Sequence, residues 1–150
     1  MKVSFILNGK PLTVDVAPGE YLVDTLRNNH VLSVKKACNE SSCGACSVLV
    51  DDKVILSCSY LTQRVEGKKV LTVEGIQKEA DKLSDYFSDQ GADQCGFCNT
   101  GLALTIHALR KELKNPTDED IKNFVVANLC RCTGYQAQFL AIKNYLEAKK

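Results

Sequence analysis

Residues 38–58 read CNESSCGACSVLVDDKVILSC, a C-x4-C-x2-C-x11-C arrangement with a run of apolar residues between the third and fourth cysteines. Three cysteines on one tight loop can wrap one side of a compact group. The fourth must come back to the same place. Eleven residues divide into four outward, three turning (DDK) and four returning, and four strand residues travel about 13 Å each way. A hairpin of SVLV and VILS therefore returns Cys58 beside Cys46. Gly44 allows the loop a backbone angle that a side chain would oppose.

Outward from this hairpin, the flanking sequence reads as more sheet. Val3, Phe5 and Leu7 alternate with polar residues, NGKP makes a turn, and Leu12, Val14 and Val16 alternate again, which is a second hairpin. In APGEYLVDTLRNN, Pro18 and Gly19 stop the strand, and Leu22, Val23 and Leu26 share one helical face. KKVLTV supplies a fifth strand. Two hairpins, an intervening helix and a late strand predict a sheet crossed by a helix, an α+β arrangement.

Near residue 75 the apolar period changes from strand-like to helical. KLSDYFSDQ reads as a short helix. TGLALTIHALRKEL puts Leu102, Ile106, Leu109 and Leu113 on one face, and NPTDEDIKNFVVANL opens with a capping-box pattern, Thr117 followed by Asp120. GYQAQFLAIKNYLEAKK closes the chain with Phe139, Ile142 and Leu146 on one stripe. Four short helices with short links predict a small bundle. The expected division is residues 1–75 and 76–150.

Composition narrows the function. The 150 residues carry a formal net charge of +1, with 45% hydrophobic and 25% charged residues. Lys and Arg are scattered, so the basic stripe that nucleic acid requires is missing. The lysine pairs at Lys35, Lys68 and Lys149 read as solvated surface. No apolar run reaches the roughly 20 residues of a membrane span, and the start MKVSFILNGKP lacks the pattern of a signal peptide. The expected location is the cytoplasm, where thiols stay reduced. Eight cysteines there point to metal rather than disulfides.

The second cysteine group is C-x2-C-x31-C-x-C: Cys95 and Cys98 before one helical segment, Cys130 and Cys132 before another starting near Gly134. Positions i and i+2 of a helix point apart, so Cys130 and Cys132 must lie in an extended turn to bind together. Both pairs then sit near helix N-termini, whose partial positive charge suits an anionic thiolate cluster. Gly96, Gly101 and Gly134 fit tight loops around it. C-x4-C-x2-C is the plant-type [2Fe–2S] spacing. Zinc knuckles would repeat C-x2-C, which neither CNESSCGAC nor CRC does. A [4Fe–4S] site would show C-x2-C-x2-C, which is missing. The spacing favours two [2Fe–2S] clusters.

In order along the chain, CNESSCGACSV, ILSC, VEG, QCGFC and NLCRCTGY resemble the small iron–sulfur subunit of molybdenum hydroxylases, the xanthine dehydrogenase family. The resemblance covers nearly the whole chain. It implies an α+β fold: a ferredoxin-like β-grasp domain followed by a four-helix bundle, each with one [2Fe–2S] cluster. It assigns Cys38, Cys43, Cys46 and Cys58 to the first cluster, and Cys95, Cys98, Cys130 and Cys132 to the second. It also implies a large molybdopterin-binding partner and a medium FAD-binding partner, with electrons passing from bundle cluster to β-grasp cluster to FAD. Gln94 and Cys132 occupy the positions that lie against the pterin. The chain departs from the family's usual residues at Ala37 and Ser41 (Gly in the family) and at Asn99 and Thr100, which replace the Thr-Pro of CTPG.

Nothing else in the sequence suggests substrate chemistry. No phosphate loop is present. His30 and His107 are not spaced for a Rieske centre, and His107, among apolar residues, reads as packing or surface. Asp118, Glu119 and Asp120 open a helix and favour its dipole. A free two-cluster ferredoxin is the competing reading. A free carrier is often strongly acidic for steering, whereas this chain is near neutral. The substrate is written in the partner subunit; the stretch SCSYLTQRVEGKKVLTVEG leans toward a purine or similar N-heterocycle, with nicotinate, aldehyde, carbon monoxide and hydroxybenzoyl-CoA relatives sharing the motifs.

Overall fold

The computed structural model describes residues 1–148, so the lysine pair at Lys149 lies outside the described residues. Lys35 and Lys68 are half-buried at the surface. Five strands form one mixed sheet: β1 (Lys2–Leu7), β2 (Lys10–Asp15), β3 (Ser47–Val50), β4 (Lys53–Leu56) and β5 (Lys69–Leu71), in the order β2-β1-β5-β3-β4. Both expected hairpins are present and antiparallel, and β1 pairs β5 in parallel. Asn8 and Gly9 alone, with φ of 50° and 82°, make the first turn; Lys10 and Pro11, expected in it, already pair with β1. The second is likewise tighter than expected. Asp51 and Asp52 alone turn the chain, with φ of 48° and 66°, and Lys53 already belongs to β4. Two left-handed residues match the twist of paired strands, and aspartate tolerates that conformation better than most residues.

Alternation places Val3, Phe5 and Val14 inside, where they meet Leu22, Val23 and Leu26 of α1 (Leu22–Asn28). The fifth strand is shorter than its sequence suggests. At Thr72 the asparagine of the first turn replaces the ladder: the Thr72 amide donates to Asn8 Oδ1 at 2.8 Å, and Asn8 Nδ2 donates to Thr72 Oγ1 at 2.8 Å.

The second half is helical: α2 (Gln77–Asp89), α3 (Asn99–Glu112), α4 (Asp118–Val125) and α5 (Gln136–Glu147). Helix α2 begins earlier than the short segment expected, and a Gln77–Asp81 side-chain hydrogen bond of 2.7 Å supports its first turn. Thr117 and Asp120 make the expected capping box. Leu83, Phe87, Leu102, Ile106, Leu109, Ile121, Ile142 and Tyr145 form a shared core.

Helix α3 is not one-sided, as the stripe through Leu113 implies. Every residue from Gly101 to Leu109 is buried, and Leu113 is the half-buried C-cap. The reason is position. One face meets the other helices, while Leu104 and Ala108 on the opposite face pack on Leu49 of β3 and on Ile76. Lys111 adds an ion pair with Asp52 at 2.8 Å.

Gly101 is therefore a helix residue, not a loop glycine. A methyl group built on it runs into the carbonyl oxygen of Gly44. Backbone cannot rotate away as a side chain can. Gly101→Ala is expected to destabilise the protein by about 2 kcal/mol through overpacking, measured by denaturant titration against the unsubstituted protein. Unchanged stability would contradict this account of the contact.

Candidate metal centres

The first cysteine group lies on the loop between α1 and β3 and at the end of β4. Asn39, Ser41 and Gly44 are all left-handed, with φ of 58°, 57° and 70°, and curl the loop around its cysteines. Gly44 is constrained twice, because a side chain there would also strike the Ala127 carbonyl. The hairpin returns as the spacing predicts. Ser57 donates to the Cys46 carbonyl from its amide (3.3 Å) and its hydroxyl (2.7 Å), which seats Cys58 beside Cys46.

Cys38 and Cys43 are half-buried, and Cys46 and Cys58 are buried. The backbone amide of Glu40, 3.4 Å from Cys38 Sγ, with help from Ser42, brings that thiol down to about 6. Burial pushes Cys46 up to about 11. Ser41 Oγ stands 4.0 Å from Cys58 Sγ.

The second group is built from two helix starts. Cys98 is the N-cap of α3. Cys130 and Cys132 lie in the turn before α5, which begins at Gln136 rather than at Gly134 because Gly134 and Tyr135 are left-handed, with φ of 67° and 71°. That turn places the Tyr135 hydroxyl to accept from the Cys130 amide at 3.1 Å. Gly96 is also left-handed, as a tight loop requires.

Thr133 Oγ1 donates to Cys130 Sγ at 3.2 Å, and Gln138 Nε2 donates to Cys98 Sγ at 3.6 Å. Burial pushes Cys98 up to about 11; at Cys130 burial acts the same way but is outweighed by hydrogen bonds led by Thr133, so its thiol is lowered. The contact with Cys95 raises Cys132.

In both groups the sulfurs fall into pairs. Cys43 acts on the ionisation of Cys38, and Cys58 on that of Cys46; the Ser57 hydrogen bonds to the Cys46 carbonyl bring Cys58 alongside it. Cys95 and Cys132 stand 3.5 Å apart, and Cys98 pairs with Cys130. Two thiolates on each of two irons is what a [2Fe–2S] cluster held by cysteines alone requires. A tetrahedral zinc ion would need four ligands converging on one point. Among the described residues, no three of His, Cys, Asp and Glu converge in that way. All eight cysteines are free of disulfides.

The two groups meet through backbone. The Leu129 amide donates to the Cys43 carbonyl at 2.9 Å, and buried Asn128 reaches the Gly44 carbonyl at 3.4 Å. Leu129 is bonded directly to Cys130. One hydrogen bond therefore links the backbone of one group to that of the other.

Gln94 is exposed beside Cys95, and its amide donates to the Gly91 carbonyl at 3.2 Å. It thus fastens the end of α2 and does not cap α3. The histidines stay away from both groups. His30 is exposed, and His107 is buried with Nδ1 2.8 Å from Glu79. The sequence reading missed Asn128, Thr133 and Gln138. Only Gln138 left a signal: a polar residue four before Ile142, hence on the same helical stripe.

The [2Fe–2S] binding domain family matches residues 72–143, and the 2Fe-2S iron-sulfur cluster binding domain family matches residues 5–75. The xanthine dehydrogenase iron-sulfur-binding subunit of Escherichia coli is 41% identical over 148 residues, covering 96% of this chain and 91% of that one. The nicotinate dehydrogenase small FeS subunit of Eubacterium barkeri is 35% identical, covering 97% and 94%. Among solved structures, a chain of quinoline 2-oxidoreductase from Pseudomonas putida 86 superposes with a TM-score of 0.90 at 35% identity, covering 99% and 94%. The chain belongs to the small [2Fe–2S] iron–sulfur subunits of the xanthine dehydrogenase family, and is an electron-transfer subunit of an oxidoreductase of the molybdenum hydroxylase type.

Proposed function

We propose that residues 1–75 form a β-grasp unit holding one [2Fe–2S] cluster on Cys38, Cys43, Cys46 and Cys58, and that residues 76–150 form a four-helix bundle holding another on Cys95, Cys98, Cys130 and Cys132. The two-and-two pairing of the sulfurs carries this assignment. Each cluster supplies one-electron chemistry when bound. The chain supplies thiolates, donors to the sulfurs, and the Cys43–Leu129 bridge between the cages.

The surroundings of the cages suggest a direction. Around the second, Cys95 and Cys132 are exposed, and so are the large apolar residues Phe97, Val126, Leu129 and Tyr135. Such a rim suits a permanent interface with a large molybdopterin-binding subunit. The loop of the first cage instead presents Asn39, Glu40, Ser41 and Ser42 to solvent. A polar face of this kind suits a medium FAD-binding subunit as the acceptor. The substrate is taken to be an aromatic N-heterocycle, in line with the xanthine, nicotinate and quinoline in the names of the three similar proteins. The cytoplasm is the proposed location, since the cages need reduced thiols; among the described residues no helix is long and apolar enough to cross a membrane.

The assembled protein is expected to contain about four iron and about four acid-labile sulfide per copy of this chain, two of each per cluster. Metal analysis finding stoichiometric zinc with little iron would sink the assignment.

Gln94 and Cys132 would form the doorway to the pterin. Gln94 is exposed and one residue from a ligand, and its amide offers both donor and acceptor to a heterocycle edge. In the assembled complex, Gln94→Ala is expected to leave iron content unchanged while substrate reduces the second cluster about tenfold more slowly, a typical size for the loss of an outer hydrogen-bonding partner. Unchanged reduction and pterin content with lowered thermal stability would leave Gln94 only its bond to Gly91.

A further inference from the structure

Gln138 is an amide where helix geometry calls for a hydrocarbon. It is 4% exposed, and its stripe continues through Ala141, Ile142 and Tyr145, none more than 1% exposed. Burying an amide costs free energy unless it is hydrogen-bonded. The partner of its Nε2 is Cys98 Sγ, at 3.6 Å. We propose that Gln138 is a positioning and tuning residue of the second cage, donating from the first turn of α5 to Cys98 and raising the reduction potential of the cluster held there. The proposal rests on the assignment of Cys98 to that cluster.

The physical argument is electrostatic. On reduction one electron arrives, no bond forms or breaks, and the added negative charge spreads onto the ligand sulfurs. An N–H aimed at a sulfur stabilises the reduced form more than the oxidised one, so the potential rises. Position decides how much. Gln138 is buried and Cys98 half-buried, and a dipole in such surroundings is screened less than in water. Of the other contacts to sulfur, Ser41 reaches Cys58 only at 4.0 Å, and two more donors are local to their own loops. Thr133 serves Cys130 from within the same turn, and Glu40 serves Cys38 at the exposed rim of the first cage. Gln138 comes instead from a helix anchored by Ile142 and Tyr145 in the core, so its distance to the sulfur is set by helix packing. The bond also joins the start of α3 to the start of α5, the two segments that must stay together for Cys95 and Cys98 to face Cys130 and Cys132.

The test is a redox titration of the assembled holoenzyme, followed by electron paramagnetic resonance, with Gln138→Met and Gln138→Glu. Methionine keeps the volume and removes the donor. Glutamate keeps the shape and donates only while protonated, the form that burial beside thiolates favours. Methionine is expected to lower the reduced-to-oxidised ratio of the second cluster at fixed solution potential by about tenfold, equivalent to about 59 mV for a one-electron couple. Glutamate should lower it only at a pH high enough to ionise the carboxyl, and the first cluster should not move in either variant. If the methionine variant assembles with full iron and the second potential stays at its original value, the proposal is overturned. It is equally overturned if both potentials shift together, or if thermal stability alone falls, since those outcomes belong to a residue that only fills the core. Lack of any [2Fe–2S] signal from the second cage of the unsubstituted protein would overturn the cage assignment itself.

Discussion

The two cysteine groups are held together at one crowded backbone junction, where the loop at Cys43–Gly44 is pressed between the start of α3 and the segment before Cys130. Three main-chain segments meet there at close range. Gly44 faces the Ala127 carbonyl on one side, and its own carbonyl lies against Gly101 on the other. The Gly44 carbonyl is met by the Ser47 amide at 3.1 Å, the Ser47 hydroxyl at 2.7 Å and Asn128 at 3.4 Å. Buried backbone groups need partners, and here supplying them brings the two halves close enough for Leu129 to donate to Cys43. The hydrogen bonds that satisfy this backbone are the ones that join the two cysteine groups.

Away from the junction, helices α2, α3 and α5 are held by a polar knot. Glu79 of α2 accepts from the Tyr145 hydroxyl of α5 at 2.8 Å, and meets His107 of α3 at 2.8 Å and Arg110 at 3.2 Å. Burial alone would raise this carboxyl, but those donors and charges outweigh it and bring it down to about 2. A depressed carboxylate contributes stability above its ordinary range and loses it only as pH falls toward the folded value. The knot is therefore intact at neutral pH. His107, read from sequence as packing or surface, is the piece of it that α3 supplies.

How much of this was legible follows from the range of each interaction. Strand alternation and the capping box are local, and the sequence shows them. Both hairpin turns are shorter than the sequence suggests, because Lys10, Pro11 and Lys53 look like turn and behave as strand. Helix α3 was read as one-sided because periodicity marks the stronger face. It cannot reveal that Leu104 and Ala108 meet a sheet that is distant along the chain. The glycines divide in the same way. Gly96 and Gly134 are turn residues, as a sequence suggests, but Gly101 is required by a neighbour that only folding brings near. Gln138 lies on the stripe of Ile142, but a stripe is recognised by its hydrocarbon and a lone amide on it carries no periodic signal.

The departures from the usual family residues show how such a site tolerates change. Asn99 ties its side chain to Asp93 at 2.9 Å and so closes the Cys95–Cys98 loop, while Thr100 donates to the Ser33 carbonyl at 2.8 Å, joining α3 to the segment that leads into the first cage. Where the family has Thr-Pro, this chain thus has two side chains that make tertiary hydrogen bonds. Ser41 is different. At φ of 57° it occupies a conformation that glycine adopts freely and other residues adopt at a cost of about 1 kcal/mol. Its hydroxyl reaches only to 4.0 Å from Cys58, a weak return. Nothing in the structure explains Ala37, which is exposed. None of these positions touches the pairing of the sulfurs. The two cysteine groups are placed by the backbone, and the residues around them vary while the junction at Gly44 stays closed.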